Sequence, residues 1–175
     1  MAENACMRWG LAAVMLIAAA PGSTAVAQTT PQPPVGAAAA AATSDETAIR
    51  GVMASYNAAL NSGDTAAVLP LYTEDGIFMA PYSPSQIGHA AIRTAYDKVF
   101  KELQFHVKFH IAELVQMAPD LAYVRTNSAG TTRHASTGKT TAEANQELFI
   151  FRKGADGKWR IARYSFSPIN PPSQA

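Results

Sequence analysis

Glu147 carries the most chemical promise in this chain. It stands in the run Asn145-Gln146-Glu147-Leu148-Phe149-Ile150-Phe151, where alternation puts Asn145, Glu147, Phe149 and Phe151 on one side of a strand. A carboxyl facing inward among aromatic rings loses hydration, so its pKa rises and it can donate as well as accept a hydrogen bond. The structural alternative is an ion pair with Arg125 or Arg163. Asn145, on the same parity, is either a cavity polar group or a strand-edge residue. Tyr56 offers a second polarising group. It falls on an apolar helical stripe, which assigns its ring to the core and leaves its hydroxyl either facing a ligand or satisfied by nearby backbone.

Other chemistries lack support. His106 and His110 are four residues apart on an extended segment, about 13 Å at strand rise, too far to share one metal ion. His89 and His134 have no cysteine or acidic residue at ligand spacing, so no metal site is expected. No Gly-rich phosphate loop, G-x-S-x-G elbow or H-E-x-x-H helix occurs. The 175 residues include 14 Lys+Arg against 13 Asp+Glu, a formal net charge of +1. That balance gives no clustered positive charge for nucleic acid or for a membrane surface.

The elements that position these groups begin well inside the chain. Arg8, the uncharged run Trp9 to Ala20, and Ala25-Val26-Ala27 have the three-part layout of a secretory signal peptide, residues 1–27. The apolar run is too short to span a bilayer. The expected location is therefore exported, periplasmic or secreted, with no membrane partner after cleavage. The only cysteine, Cys6, goes with that signal, so no disulfide is available and the core alone holds the fold. Residues 28–44, Pro-rich and then alanine-rich, read as a tether in which the alanines form a transient helix. Residues 45–170 form one domain and 171–175 a tail.

Within the domain, Thr43 and Glu46 have capping-box spacing, and Ile49, Val52, Met53, Tyr56 and Leu60 make one helical stripe. Asp64 caps a second helix through Val68, which Pro70 keeps short. A short strand Ile77 to Ala80 ends at Pro81-Tyr82-Ser83-Pro84, and a third helix follows Gly88. From Gln104 the period is two. A strand reaching Met117 is long enough to need a bulge, with Phe105, Val107 and Phe109 inward and His106, Lys108 and His110 on the solvated or subunit-facing side. Three more strands follow, Leu121 to Asn127, Ala142 to Phe151 and Lys158 to Phe166, with Thr131 to Thr140 as a flexible hairpin end. The order implies an α+β fold with helices on one face of a curved, mostly antiparallel sheet.

Three stretches carry a family likeness: Tyr56 to Asp64 (Y-N-A-A-L-N-S-G-D), Leu71 to Gly76 (L-Y-T-E-D-G) and Gly88 to Arg93 (G-H-A-A-I-R), closed by Gly157-Lys158-Trp159-Arg160-Ile161. On these, residues 45–170 resemble the nuclear transport factor 2-like superfamily, and within it the SnoaL-like or SgcJ/EcaC-type proteins. The resemblance implies a cone-shaped fold of three helices on a curved mixed sheet, related to ketosteroid isomerases and scytalone dehydratases. It implies that Tyr56 matches the isomerase's oxyanion tyrosine and that Glu147 stands where the protonated acid would be. The isomerase base is expected just before the proline of the first-strand loop, and Ala80 occupies that place, so ketosteroid isomerisation lacks its proton carrier.

The resulting expectation is a cavity lined by Met79, Tyr82, Phe100, Phe149, Phe151 and Trp159 that takes a small apolar organic molecule. Tyr56 and Glu147 would be its polarising donors and no cofactor is called for. The alternative is a non-catalytic module that binds or dimerises, and a homodimer through the sheet is expected in either case.

Overall fold

The computed structural model describes residues 35–169, with side chains from residue 44. The signal peptide, the first part of the tether and the tail lie outside the described residues. Helix α1 spans Val35–Ser62. It opens well ahead of Thr43 because alanine has the best intrinsic helix propensity and nothing in the run breaks a helix. The tether is therefore helical from residue 35, and Thr43 is an interior position rather than an N-cap. Glu46 does not close a capping box; it pairs with Arg50 one turn on, at 2.6 Å.

Asp64 does cap helix α2 (Thr65–Val68), its carboxylate accepting from the Ala67 amide at 3.0 Å. A single 3-10 turn through Pro70 follows. Strand β1 (Tyr72–Met79) starts five residues earlier than the apolar run suggested. It lies parallel to the last strand with a register break between Tyr72 and Ile77. Gly76 makes that break possible: a Cβ there would sit 2.9 Å from the Thr73 carbonyl oxygen and 3.0 Å from the Tyr72 ring. The short strand β2 (Gln86–Ile87) and helix α3 (Gly88–Glu102) follow.

Four long strands complete the sheet: β3 (Leu103–Ala118), β4 (Leu121–His134), β5 (Thr140–Lys153) and β6 (Trp159–Pro168). The order is β2-β1-β6-β5-β4-β3, with only the β1/β6 pair parallel. β3 is irregular twice, between Gln116 and Ala118 near its end and between Ile111 and Glu113 in its middle. The extra residue there restores the inward parity that Leu114 uses. The stretch Thr131 to Thr140 is more regular than expected, since β4 runs to His134 and Thr132 pairs with Thr141. Threonine's branched Cβ suits a pleated strand better than a loose loop.

Ile49, Met53, Tyr56 and Leu60 of α1 and Ile92 and Tyr96 of α3 are buried against the sheet's inner face, where Val107, Val124, Phe149 and Ile161 are also buried. The edge strand β3 is not left open. Asn61 both donates to the Val107 carbonyl (2.8 Å) and accepts from its amide (2.9 Å), while Asn57 donates to the same carbonyl (2.9 Å). Two asparagines one turn apart thus meet backbone groups that no strand covers. That is the structural content of the Y-N-A-A-L-N stretch.

Candidate active site

The inner face of the sheet has a polar end. Glu147 on β5 is 3% exposed. Thr126 and Ser128, neighbours on β4, both donate hydroxyls to its carboxyl at 2.5 Å. Alternation brings them there, because Thr126 pairs in register with Glu147 and Ser128 shares its face. Neither arginine proposed as a salt-bridge partner reaches it. Arg125 pairs with Glu113 at 3.3 Å, and Arg163 donates to the Asp75 and Ala162 carbonyls. With hydroxyl donors but no cation, burial dominates and raises the Glu147 pKa above the ordinary glutamate range. The two hydroxyls oppose that rise and the charge of Glu143 adds to it.

Tyr56 lies across from this carboxyl on α1. Its hydroxyl shares a hydrogen bond with that of Tyr96 (2.7 Å), which in turn meets that of Tyr72 (3.0 Å). Burial pushes the hydroxyls of Tyr56, Tyr72, Tyr96 and Tyr164 well above the usual phenol range, so all four stay neutral at physiological pH. The ring of Tyr56 thus packs in the core, and its hydroxyl is held by other tyrosines rather than by backbone.

Tyr56, Glu147 and Asn145 all line one cavity of about 190 Å³. Its apolar wall comes from Phe78, Phe105, Phe109, Val99 and Phe166, and Ala80, at the position before Pro81 where the isomerase base is expected, also lines it. Among the described residues, no lysine, arginine or histidine contributes to it. Asn145 is 7% exposed; its Nδ2 donates to Glu143 Oε1 (2.9 Å) and to Ser128 Oγ (3.4 Å). A continuous hydrogen-bonded chain thus runs from Glu143 through Asn145 and Ser128 to Glu147.

The six apolar residues expected around the cavity are elsewhere. Phe78, not its neighbour Met79, faces inward, as strand alternation requires. Tyr82 is fully exposed at the Pro81–Pro84 turn, with φ at 57°, and borders a separate surface groove. Phe100 packs against Tyr96 and Phe105, at 5.5 and 6.4 Å between ring centroids. Phe149 is stacked behind Tyr164 at 4.1 Å, the rings nearly parallel, and Phe151 lies one step further along β5. Trp159 is remote, since it pairs with Lys153, which is six residues along β5 from Glu147, about 20 Å at strand rise. Its indole Nε1 donates to Asp45. Parity of β4 and of the Phe166 end of β6 would have pointed to Ser128 and Phe166. The parity of β5 that points to Asn145 and Glu147 also points to Glu143, two residues earlier; nothing local marks Tyr96 as a cavity residue.

The SnoaL-like domain family matches residues 53–162. The chain belongs to this family. A solved structure similar to it is the ketosteroid isomerase-like protein from Erwinia carotovora atroseptica SCRI1043, at 38% identity, covering 71% of this chain and 96% of that one, TM-score 0.69. A conserved protein from Planctomyces limnophilus DSM 3776 is 26% identical, with 72% and 98% coverage and TM-score 0.64. A nuclear transport factor 2-like superfamily protein from Salmonella enterica serovar Typhimurium LT2 shares the fold at 14% identity, with 75% and 96% coverage and TM-score 0.65. No curated protein sequence matches. The SnoaL-like fold is thus the nuclear transport factor 2-like α+β arrangement, as the sequence implied, and it hosts many functions.

Proposed function

We propose that this SnoaL-like domain takes a small, largely apolar organic molecule into its cavity and polarises it with Tyr56 and Glu147. The observation that carries this reading is Glu147 itself. It is buried beside an open volume, held by hydroxyls alone, with its pKa raised by burial. Keeping a carboxyl there costs stability that a leucine would not, and such costs concentrate at functional sites. The chemistry this suits is cofactor-free isomerisation, cyclisation or dehydration, in which charge developing on a substrate oxygen is met by an acid O–H and a phenol.

The alternative, binding without turnover, is favoured by Ala80, which leaves no carboxylate at the position before Pro81. A ligand screen on wild type, Tyr56→Phe and Glu147→Gln separates the two. Catalysis predicts that each substitution lowers turnover by about a hundredfold, the effect typical of losing one oxyanion donor. Ligands that bind equally to all three without turnover would end the catalytic assignment.

We propose further that the protein is exported and pairs with a second copy through the outer sheet face. Val115, Met117 and Leu148 are exposed apolar residues, and His106, Lys108 and His110 lie exposed along β3. Sedimentation of a monomer at micromolar concentration would contradict the pairing. Recovery of the protein from the cytoplasm with residues 1–27 intact would contradict export.

A further inference from the structure

The cavity has two unlike ends, and the charge at one of them has no counterpart. Glu143 and Glu147 share one face of β5, and both line the cavity together with Asn145 and Ser128. Phe78, Phe105, Phe109 and Phe166 make up much of the remaining wall. Two buried, neutral donors hold the Glu143 carboxylate on the inner face: Asn145 Nδ2 donates to its Oε1 at 2.9 Å and Thr132 Oγ1 to its Oε2 at 3.1 Å. Neither can cancel its charge. That charge is felt around the cavity, since it opposes ionisation of both Glu147 and Tyr164. Among the described residues neither carboxyl has an ion-pair partner, and no lysine, arginine or histidine lines the cavity.

This asymmetry limits what can enter. A wholly apolar ligand would displace water from the carboxyl end and put nothing in its place, which is costly beside a charged group. An anion would be repelled by the same charge. A cationic head replaces the lost water and is drawn toward both carboxyls. That attraction falls only with the inverse of distance, so it needs no one oxygen as its contact. The aromatic end adds to it, because ring faces attract a cation as well as packing its apolar body. At about 190 Å³ the cavity exceeds only modestly the 150 Å³ or so that holds benzene in an engineered core, so that body is about one ring in size. We infer that the cavity takes a small organic ammonium ion, its single-ring apolar body against Phe78, Phe105 and Phe109 and its positive head at the Glu143 and Glu147 end.

This inference rests on the cavity being the ligand site, and the test separates the two. The full chain is titrated calorimetrically at neutral pH and low ionic strength with benzylammonium chloride, with benzyl alcohol, which has the same shape without the charge, and with sodium benzoate. Benzylammonium is expected to bind at least about tenfold tighter than benzyl alcohol, and benzoate weakest. Glu143→Gln keeps an acceptor for Asn145 and removes the charge, so it should shrink the ratio of the first two affinities by at least about fivefold. Equal or tighter binding of benzyl alcohol to wild type, tightest binding of benzoate, or an ammonium advantage unchanged in Glu143→Gln would each overturn the inference and leave the cavity reading standing. Failure of all three compounds to bind would remove both. The wild-type comparison decides the matter even where the variant does not fold.

Discussion

Two carboxyls meet the inner face of the same sheet, one near each end, and their surroundings are opposite. Asp45, on α1, accepts from Lys153 Nζ at 2.7 Å, Trp159 Nε1 at 3.0 Å and Gln116 Nε2 at 3.2 Å. The Lys153 ammonium, donating to it, holds its pKa below the usual aspartate range. Among the described residues Glu147 has Thr126 and Ser128 as donors and no cation, and its pKa is raised by burial. The first is a tie between one helix and three strands, charged and satisfied. The second has its charged form disfavoured by burial, beside open space. The same functional group is thus structural at one end and chemically available at the other, and the difference lies in the partner rather than in the carboxyl.

Phe149 and Phe151 lie between Glu147 and Lys153 on β5 and are wholly buried. Breaking that divide should have the largest effect. Phe149→Ala removes a ring stacked on Tyr164 and is expected to destabilise the fold by about 4 kcal/mol in urea unfolding, the cost of emptying an aromatic core position. Asp45→Ala comes next, at about 2 kcal/mol, since Lys153 and Trp159 Nε1 lose their shared acceptor. A loss within error of zero would mean that Asp45 is not the tie described. Tyr56→Phe should cost about 1 kcal/mol, the net value of one hydroxyl hydrogen bond.

Glu147→Gln should differ in sign and in pH dependence. The folded-state pKa is raised, so the folded protein holds the proton more tightly than the unfolded chain does. Stability from this group is fully present below the unfolded pKa and is lost as pH rises through the folded one. The stability of Glu147→Gln relative to wild type should therefore climb as pH rises above the ordinary glutamate pKa, about 4.3, as read from urea midpoints. A flat difference would place the carboxyl in an ordinary environment.

The sequence made the sheet legible because its signals were local. Alternation from Phe105 onward, the Asp64 cap and the Pro81-to-Pro84 turn each act over a few residues. The start of β1 was hidden because Tyr72 to Gly76 is charged and irregular, and its pairing depends on β6, nearly ninety residues later. The start of α1 was misread because a polar cap was given more weight than the propensity of plain alanine. At the site, parity placed Glu147 and Asn145 correctly on the buried face, while the aromatics that share their strand proved to be core. Which inward ring borders empty volume depends on how helices sit over the sheet, and no spacing encodes that. Tyr96, joined to Tyr56 across 40 positions, is legible only in three dimensions.

The central claim is that Glu147 is a buried, cation-free carboxyl, and a carbon-detected NMR titration of side-chain carboxyls tests it most directly. Glu147 should titrate above the ordinary glutamate range, about 4.3, and Asp45 below the ordinary aspartate range in the same spectra. A Glu147 midpoint at or below that of an exposed glutamate would contradict the account.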